Sequence, residues 1–247
     1  MITTCKNCHQ TYKGHYCNNC GQTAETHPIN LHFLWHDIQH GLLHFDNGIP
    51  YTAKQLFTRP GHSIREFIEG KRIKHFKPLS LVMVLATAYV ALIHLLHIEL
   101  IVKTNIPADP SVHIDPVKIG EWVQSHFAWI TIAFIPIHTI GTAISFRKQD
   151  YNFFEYFVLN TYKAAQKLYI SLLFIPVFYY YSGTPNIFTV TKIIVLIDFV
   201  LYFWTNVQFF NHLSKIKTFF LTLLTHIIFW LITLIVLVIV LTIIGKI

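Results

Sequence analysis

The stretch 218-TFFLTLLTHIIFWLITLIVLVIVLTII-244 decides the fold class, because it runs from Thr218 to Ile244 without a lysine, arginine, aspartate or glutamate. A run of that length and apolarity crosses about 30 Å of hydrocarbon as a helix. Further apolar runs stand upstream, near Pro78 to Ile98, Trp122 to Phe146, Phe157 to Tyr181 and Thr189 to Phe210. The 247 residues are 53% apolar and 13% charged, with mean hydropathy +0.46. Soluble domains carry about 25% charged residues, so an ordinary soluble fold is excluded. The sequence predicts an all-α integral membrane protein with about five transmembrane helices, preceded by a more polar N-terminal section.

Charge sets the orientation. The net charge is +7 and the pI is near 9.2, yet the basic residues flank apolar spans. That pattern points to topology and anionic lipid headgroups, and no nucleic-acid partner is expected. Lys71 to Lys77, Arg147, Lys148, Lys163, Lys167, Lys215 and Lys217 fall on the side of the N-terminus, whereas Lys103, Lys118 and Lys246 fall on the other, with Lys192 near it. The positive-inside rule then puts the N-terminus in the cytosol and the C-terminus outside. No apolar segment precedes the polar N-terminus, so no cleavable signal peptide is expected.

All four cysteines lie in CKNCHQTYKGHYCNNC, residues 5 to 20. Two CxxC pairs brought together by a tight hairpin give the four thiolates of a tetrahedral site, with metal–sulfur distances of about 2.3 Å. Lys13-Gly14 supplies the turn, and Gly21 lets the backbone wrap the sulfurs. Zn²⁺ bound by Cys5, Cys8, Cys17 and Cys20 is the reading that fits a reducing cytosol; iron or a pair of disulfides are the other readings. So short a block has little core, and metal binding supplies its folding energy.

Residues 1–24 thus form a small N-terminal zinc ribbon, 25–77 cytosolic and interfacial amphipathic helices, and 78–247 the transmembrane helical bundle. In the middle section Asn30 is an N-cap for LHFLWHDIQHGLLHF. Its apolar stripe faces away from a row formed by His32, His36, His40 and His44. His36 and His40 are one turn apart, the spacing that lets two imidazoles chelate one metal, and Asp37 stands where a zincin has glutamate. The row is a candidate second metal or proton site; a solvated polar face is the plainer reading. A helix from Tyr51 ends at the Arg59-Pro60-Gly61 break, Ser63 and Glu66 form a capping box for the next, and Gly70 closes it. Lys71, Arg72, Lys74 and Lys77 then mark the cytosolic end of the first span and are candidate contacts for an anionic headgroup.

Ionisable groups inside a membrane mark functional sites by default. The candidates are Asp198 with Asn206, His138 just after Pro136, Asn160 with Lys167, and His226. They point either to interhelical hydrogen bonds that hold the bundle together or to passage of a proton, ion or small solute. A link from Asp198 to Lys163 or Lys167 is disfavoured, since both lysines reach the cytosolic end by snorkelling. No nucleotide loop or serine triad is present, so an enzyme has no positive signature beyond the histidines.

The motifs CxNC-x8-CNNCGQ, LHFLWHDIQHGLLHFDNG, QLFTRPGHSIREFIEGKRIKHFKPLS and YNFFEYFVLN together resemble an uncharacterised bacterial family of zinc-ribbon membrane proteins, known only as a domain of unknown function. The resemblance implies a ribbon-plus-helices layout and a bacterial inner membrane. It brings no reaction or catalytic residue. The expectation that follows is a ribbon that serves as a binding, scaffold or regulatory platform for a cytosolic partner or a second copy. Transport through the bundle is the alternative, and a metalloenzyme at His36 and His40 a third.

Overall fold

The computed structural model describes residues 2–26, 28–34, 48–101 and 116–244. The chain starts with an antiparallel hairpin, β1 (Ile2–Thr4) and β2 (Thr11–Lys13), in which Thr3 pairs with Tyr12. Helices α1 (Gly48–Thr58), α2 (Pro60–Glu69) and α3 (Pro78–Leu95) follow. After them come α4 (Pro116–Ser125), α5 (Phe127–Ser145), α6 (Phe153–Leu173), the short α7 (Ile175–Tyr180), α8 (Asn186–Phe209) and α9 (Lys215–Ile244).

Four of these helices, α3, α5, α8 and α9, are long and apolar enough to cross a membrane. The expected fifth, over Phe157 to Tyr181, is not among them. Its residues form α6 and α7, separated where Pro176, within the first turn of α7, cannot continue the helix ahead of it. Helix α6 carries Asn160, Lys163, Gln166 and Lys167, so its composition is too polar for lipid. It survives by being enclosed. Tyr156, Leu159, Tyr162, Lys163, Ala165 and Gln166 are all buried, on every side of the helix, and α1, α2, α3, α5 and α8 all pack against it.

Local chemistry explains the ends. Asn152 accepts from Glu155 N at 3.0 Å and Glu155 Oε2 accepts from Asn152 N at 2.8 Å, the reciprocal cap that the sequence predicts for this helix. Gly70 closes α2 in the left-handed region, φ +111°, as expected. The Ser63 capping box is not formed. Helix α2 starts earlier, at Pro60, and Ser63 is buried inside it, while Glu66 pairs with Arg59 at 2.8 Å. Pro at the first helical position needs no N–H there, so the helix begins at the expected break.

The helices before the first span do not lie apart from the bundle; a single core joins Leu56, Ile64 and Phe67 to Leu81, Leu159, Phe209 and others. Polar ties reinforce it: Gln166 Nε2 donates to Leu56 O at 2.6 Å, Tyr162 OH to Phe76 O at 2.9 Å, and Arg65 Nη1 to Phe209 O at 2.8 Å. The closest approach is at Gly61, where an added Cβ would meet Phe209 N at 2.2 Å. Within the apolar helices, Thr139, Thr142, Thr222 and Thr225 donate to the carbonyl four residues back, which satisfies each hydroxyl without water.

Candidate metal centre and bundle cavity

The two knuckles are shaped by backbone geometry. His9 and Gly21, each next to the second cysteine of its pair, have positive φ, +60° and +76°, and Gly14 turns the hairpin at +123°. The chain curls back so that His9 N donates to Cys5 O and Gly21 N to Cys17 O, at 2.9 and 2.8 Å. All four sulfurs lie within 4.8 Å of one another, with Cys5 to Cys20 and Cys8 to Cys17 at 3.5 Å. A tetrahedron with metal–sulfur bonds of about 2.3 Å has sulfur–sulfur edges of about 3.8 Å, so this donor set fits a thiophilic metal ion. The backbone N–H of Gln10 and the Asn19 side chain pull the Cys8 thiol down to about 6, the direction that favours a metal-binding thiolate. Burial instead pushes Cys5 up to about 11, a barrier that a bound cation removes.

This module is tied to the helical body. Gln22, 3% exposed, donates from Nε2 to Gly70 O at 2.9 Å and accepts at Oε1 from Arg72 N at 3.1 Å. One amide therefore clamps the backbone at the end of α2. Arg72, expected to face lipid headgroups, turns inward: its Nε donates to Phe67 O at 3.0 Å, and its guanidinium lies 4.6 Å from the Phe33 ring centre. Burial lowers its pKa from the ordinary value. Lys71 pairs with Glu66 at 3.4 Å, and Lys74 is exposed.

Of the histidine row, His32 is exposed on the turn of helix at residues 31–34, whose start is capped by Asn30 Oδ1 accepting from Phe33 N at 2.9 Å. His36, Asp37, His40 and His44 lie outside the described residues.

The intramembrane candidates do converge. His138, Asn160, Lys167, Asp198 and His226 line one cavity of about 930 Å³ between α5, α6, α8 and α9. Asn206 joins through Lys163, whose Nζ donates to Asn206 Oδ1 at 2.6 Å, and Asn206 Nδ2 donates to Thr222 Oγ1 at 2.9 Å. A second set of bonds crosses beside it: Tyr202 OH donates to Asn160 Oδ1, and Asn160 Nδ2 donates to Thr142 Oγ1 at 3.1 Å. These bonds form a polar floor. Thr142 and Asn206 are each three residues from the ends of α5 and α8, so the floor lies toward the end of the bundle that carries α2.

Lys163 is where sequence reasoning went astray. It does not snorkel; it is 3% exposed, and its ammonium also lies 3.9 Å from the Tyr202 ring centre. Asp198 makes no ion pair with a lysine among the described residues, and its Oδ1 is buried without a hydrogen-bond partner. Tyr202 was missed altogether, although its position four residues after Asp198 places both on one helix face.

A family model described as "Protein of unknown function" (DUF3667) matches residues 46–90, the segment containing α1, α2, the basic turn and the front of α3. No curated protein and no solved structure matches the chain.

Proposed function

We propose that this is a bacterial inner-membrane protein whose N-terminal module is a cytosolic zinc ribbon serving as a fixed platform for a protein partner or a second copy. The observation that carries this reading is the Gln22 clamp, which joins the four-cysteine module to the end of α2. Four thiolates fill a zinc ion's shell and leave no open position for a substrate, which favours a structural metal over a catalytic one. The clamp holds the module in one orientation and leaves Lys13, His15 and Tyr16 exposed on its outer side. A cytosolic position is supported by the basic residues at that end, with Lys74 and Lys77 left for anionic headgroups.

The test places a photoreactive amino acid at position 16 of the full-length protein in its native membrane. A discrete crosslinked species is expected, lost when Lys13→Glu is added while one zinc per chain is retained. Absence of any adduct in a protein that holds its zinc would sink the platform reading.

Passage through the bundle has less support. The bonds from Lys163 to Thr222 and from Tyr202 to Thr142 cross the bundle at one end of the cavity, which suits a blind pocket better than a conduit.

A further inference from the structure

The cavity in the bundle combines two features that the zinc platform does not use. The first is Lys163, an ammonium 3% exposed, with Asn206 Oδ1 as its hydrogen-bond acceptor. No carboxylate lies within 4.0 Å of it among the described residues, where the ion pairs are Arg59–Glu66 and Lys71–Glu66. An ammonium taken out of water without an anion is costly, so an enclosed lysine is driven toward its neutral amine until an anion arrives, and the protonated form has three N–H groups that need acceptors. Asn206 and the Tyr202 face satisfy part of that need; an anion would satisfy the rest.

The second feature is the shape and lining above that floor. The cavity follows α9 from Leu223 to Leu234 and α8 from Lys192 to Tyr202. At 1.5 Å rise per residue it is about 16 Å long. Its walls beyond His138 and His226 are mostly hydrocarbon and aromatic, including Ile130, Phe134, Leu196, Trp230 and Leu231, with Thr131 among them and the exposed Lys192 at the far end. A small hydrated anion gains nothing from such walls. Lys167, Lys192 and Asp198 also stand on the lining, but Lys167 and Lys192 are exposed, and Lys163 at 3% exposure is the cation that is enclosed.

We propose that the cavity binds a single-chain carboxylate amphiphile, with its carboxylate on Lys163 at the polar floor and its hydrocarbon chain along the apolar walls. The class of ligand is that of a long-chain fatty acid. The carboxylate completes the hydrogen bonding of the buried ammonium, and the chain displaces lipid or void from the walls. Lipid chains alone cover the walls but leave Lys163 without an anion, and a small anion alone makes no use of the walls.

The experiment uses full-length protein in nanodiscs of zwitterionic lipid, with radiolabelled oleate as the probe. Saturable binding of one oleate per chain is expected. Lys163→Gln should weaken it at least about tenfold, the effect of losing a charge-assisted contact. Oleyl alcohol, with the same chain and no charge, should bind at least tenfold more weakly than oleate and be indifferent to that substitution, and acetate should not compete at millimolar concentration. Thr131→Trp fills the apolar part of the cavity without touching the floor and should abolish oleate binding at unchanged thermal stability. The proposal is overturned by oleate affinity unchanged in folded Lys163→Gln, by oleyl alcohol binding as tightly as oleate, by acetate competing, or by dioleoyl phosphatidate binding more tightly than oleate. If Lys163→Gln does not fold, Thr131→Trp decides alone: retained oleate overturns the assignment.

Discussion

His75 gives the sharpest test of how the turn before α3 packs against α1 and α2. It lies between Tyr51 and Phe67, with ring centres at 5.2 and 5.8 Å, and burial lowers its pKa from 6.5 to about 4. At pH 7.5 the ring is neutral whether the protein is folded or unfolded, so its packing is retained in full. Below pH 6.5 the unfolded chain takes up a proton that the folded one refuses, so stability falls with pH until about pH 4. Between pH 7.5 and 4.5 those two pKa values give a loss of about 2.5 kcal/mol from this one side chain. In thermal unfolding of the detergent-purified protein that corresponds to about 5–10 °C. Other groups titrate in this range, so the measurement is a difference. His75→Phe keeps an aromatic ring in the same place and removes the proton site. The wild-type midpoint should fall about 5–10 °C further than that of the variant over this interval. Parallel pH profiles for the two proteins would refute the burial argument.

Gln22→Ala leaves Gly70 O and Arg72 N without their buried partner and should cost about 2–4 kcal/mol of docking energy; the readout is faster zinc loss to a chelator, with the helical signal by circular dichroism unchanged. Gly61→Ala puts a methyl group against the backbone of Phe209, which cannot yield as a flexible side chain does. A loss of about 1–3 kcal/mol or more is expected, read as a lower unfolding temperature, and an unchanged value would mean that α2 does not pack against α8. Cys17→Ser should abolish stoichiometric zinc and expose the chain near Gln22 to protease, whereas Cys17→Ser with full zinc content would exclude the four-thiolate site.

What the sequence made legible depended on how local the signal was. The CxxC pairs, the Gly21 turn, the Asn152–Glu155 cap and Gly70 are set within a few residues, and each was readable. So was the apolarity of α9, because lipid demands it of every exposed face. Helix α6 was misjudged for the converse reason. Its apolar neighbours do what lipid does elsewhere, so its own composition is free to be polar, and no count along the chain reveals that. Arg72 and Lys163 were placed at the surface by rules for isolated helices; each is instead held inside by groups distant in sequence or across a tertiary contact, Phe33 for one and Asn206 for the other. The convergence of His138, Asn160, Asp198 and His226 was legible only as a list of costly residues, since their common cavity depends on how four helices splay.

The contact of Arg65 with the carbonyls of Gln208 and Phe209 joins residues more than 140 positions apart. At a synthesis rate of about 5–20 residues per second, the docking surface for α2 emerges about 7–30 s after α2 itself. Through that interval Ile64, Phe67 and the face of α2 around Gly61 wait without the surface that finally covers them, while the four-cysteine donor set is complete by residue 22. On the zinc reading, metal loading is then an early event in the life of the chain, and the closing of α2 onto α8 a late one. A nascent chain arrested before residue 208 is expected to hold zinc and still expose α2 to protease.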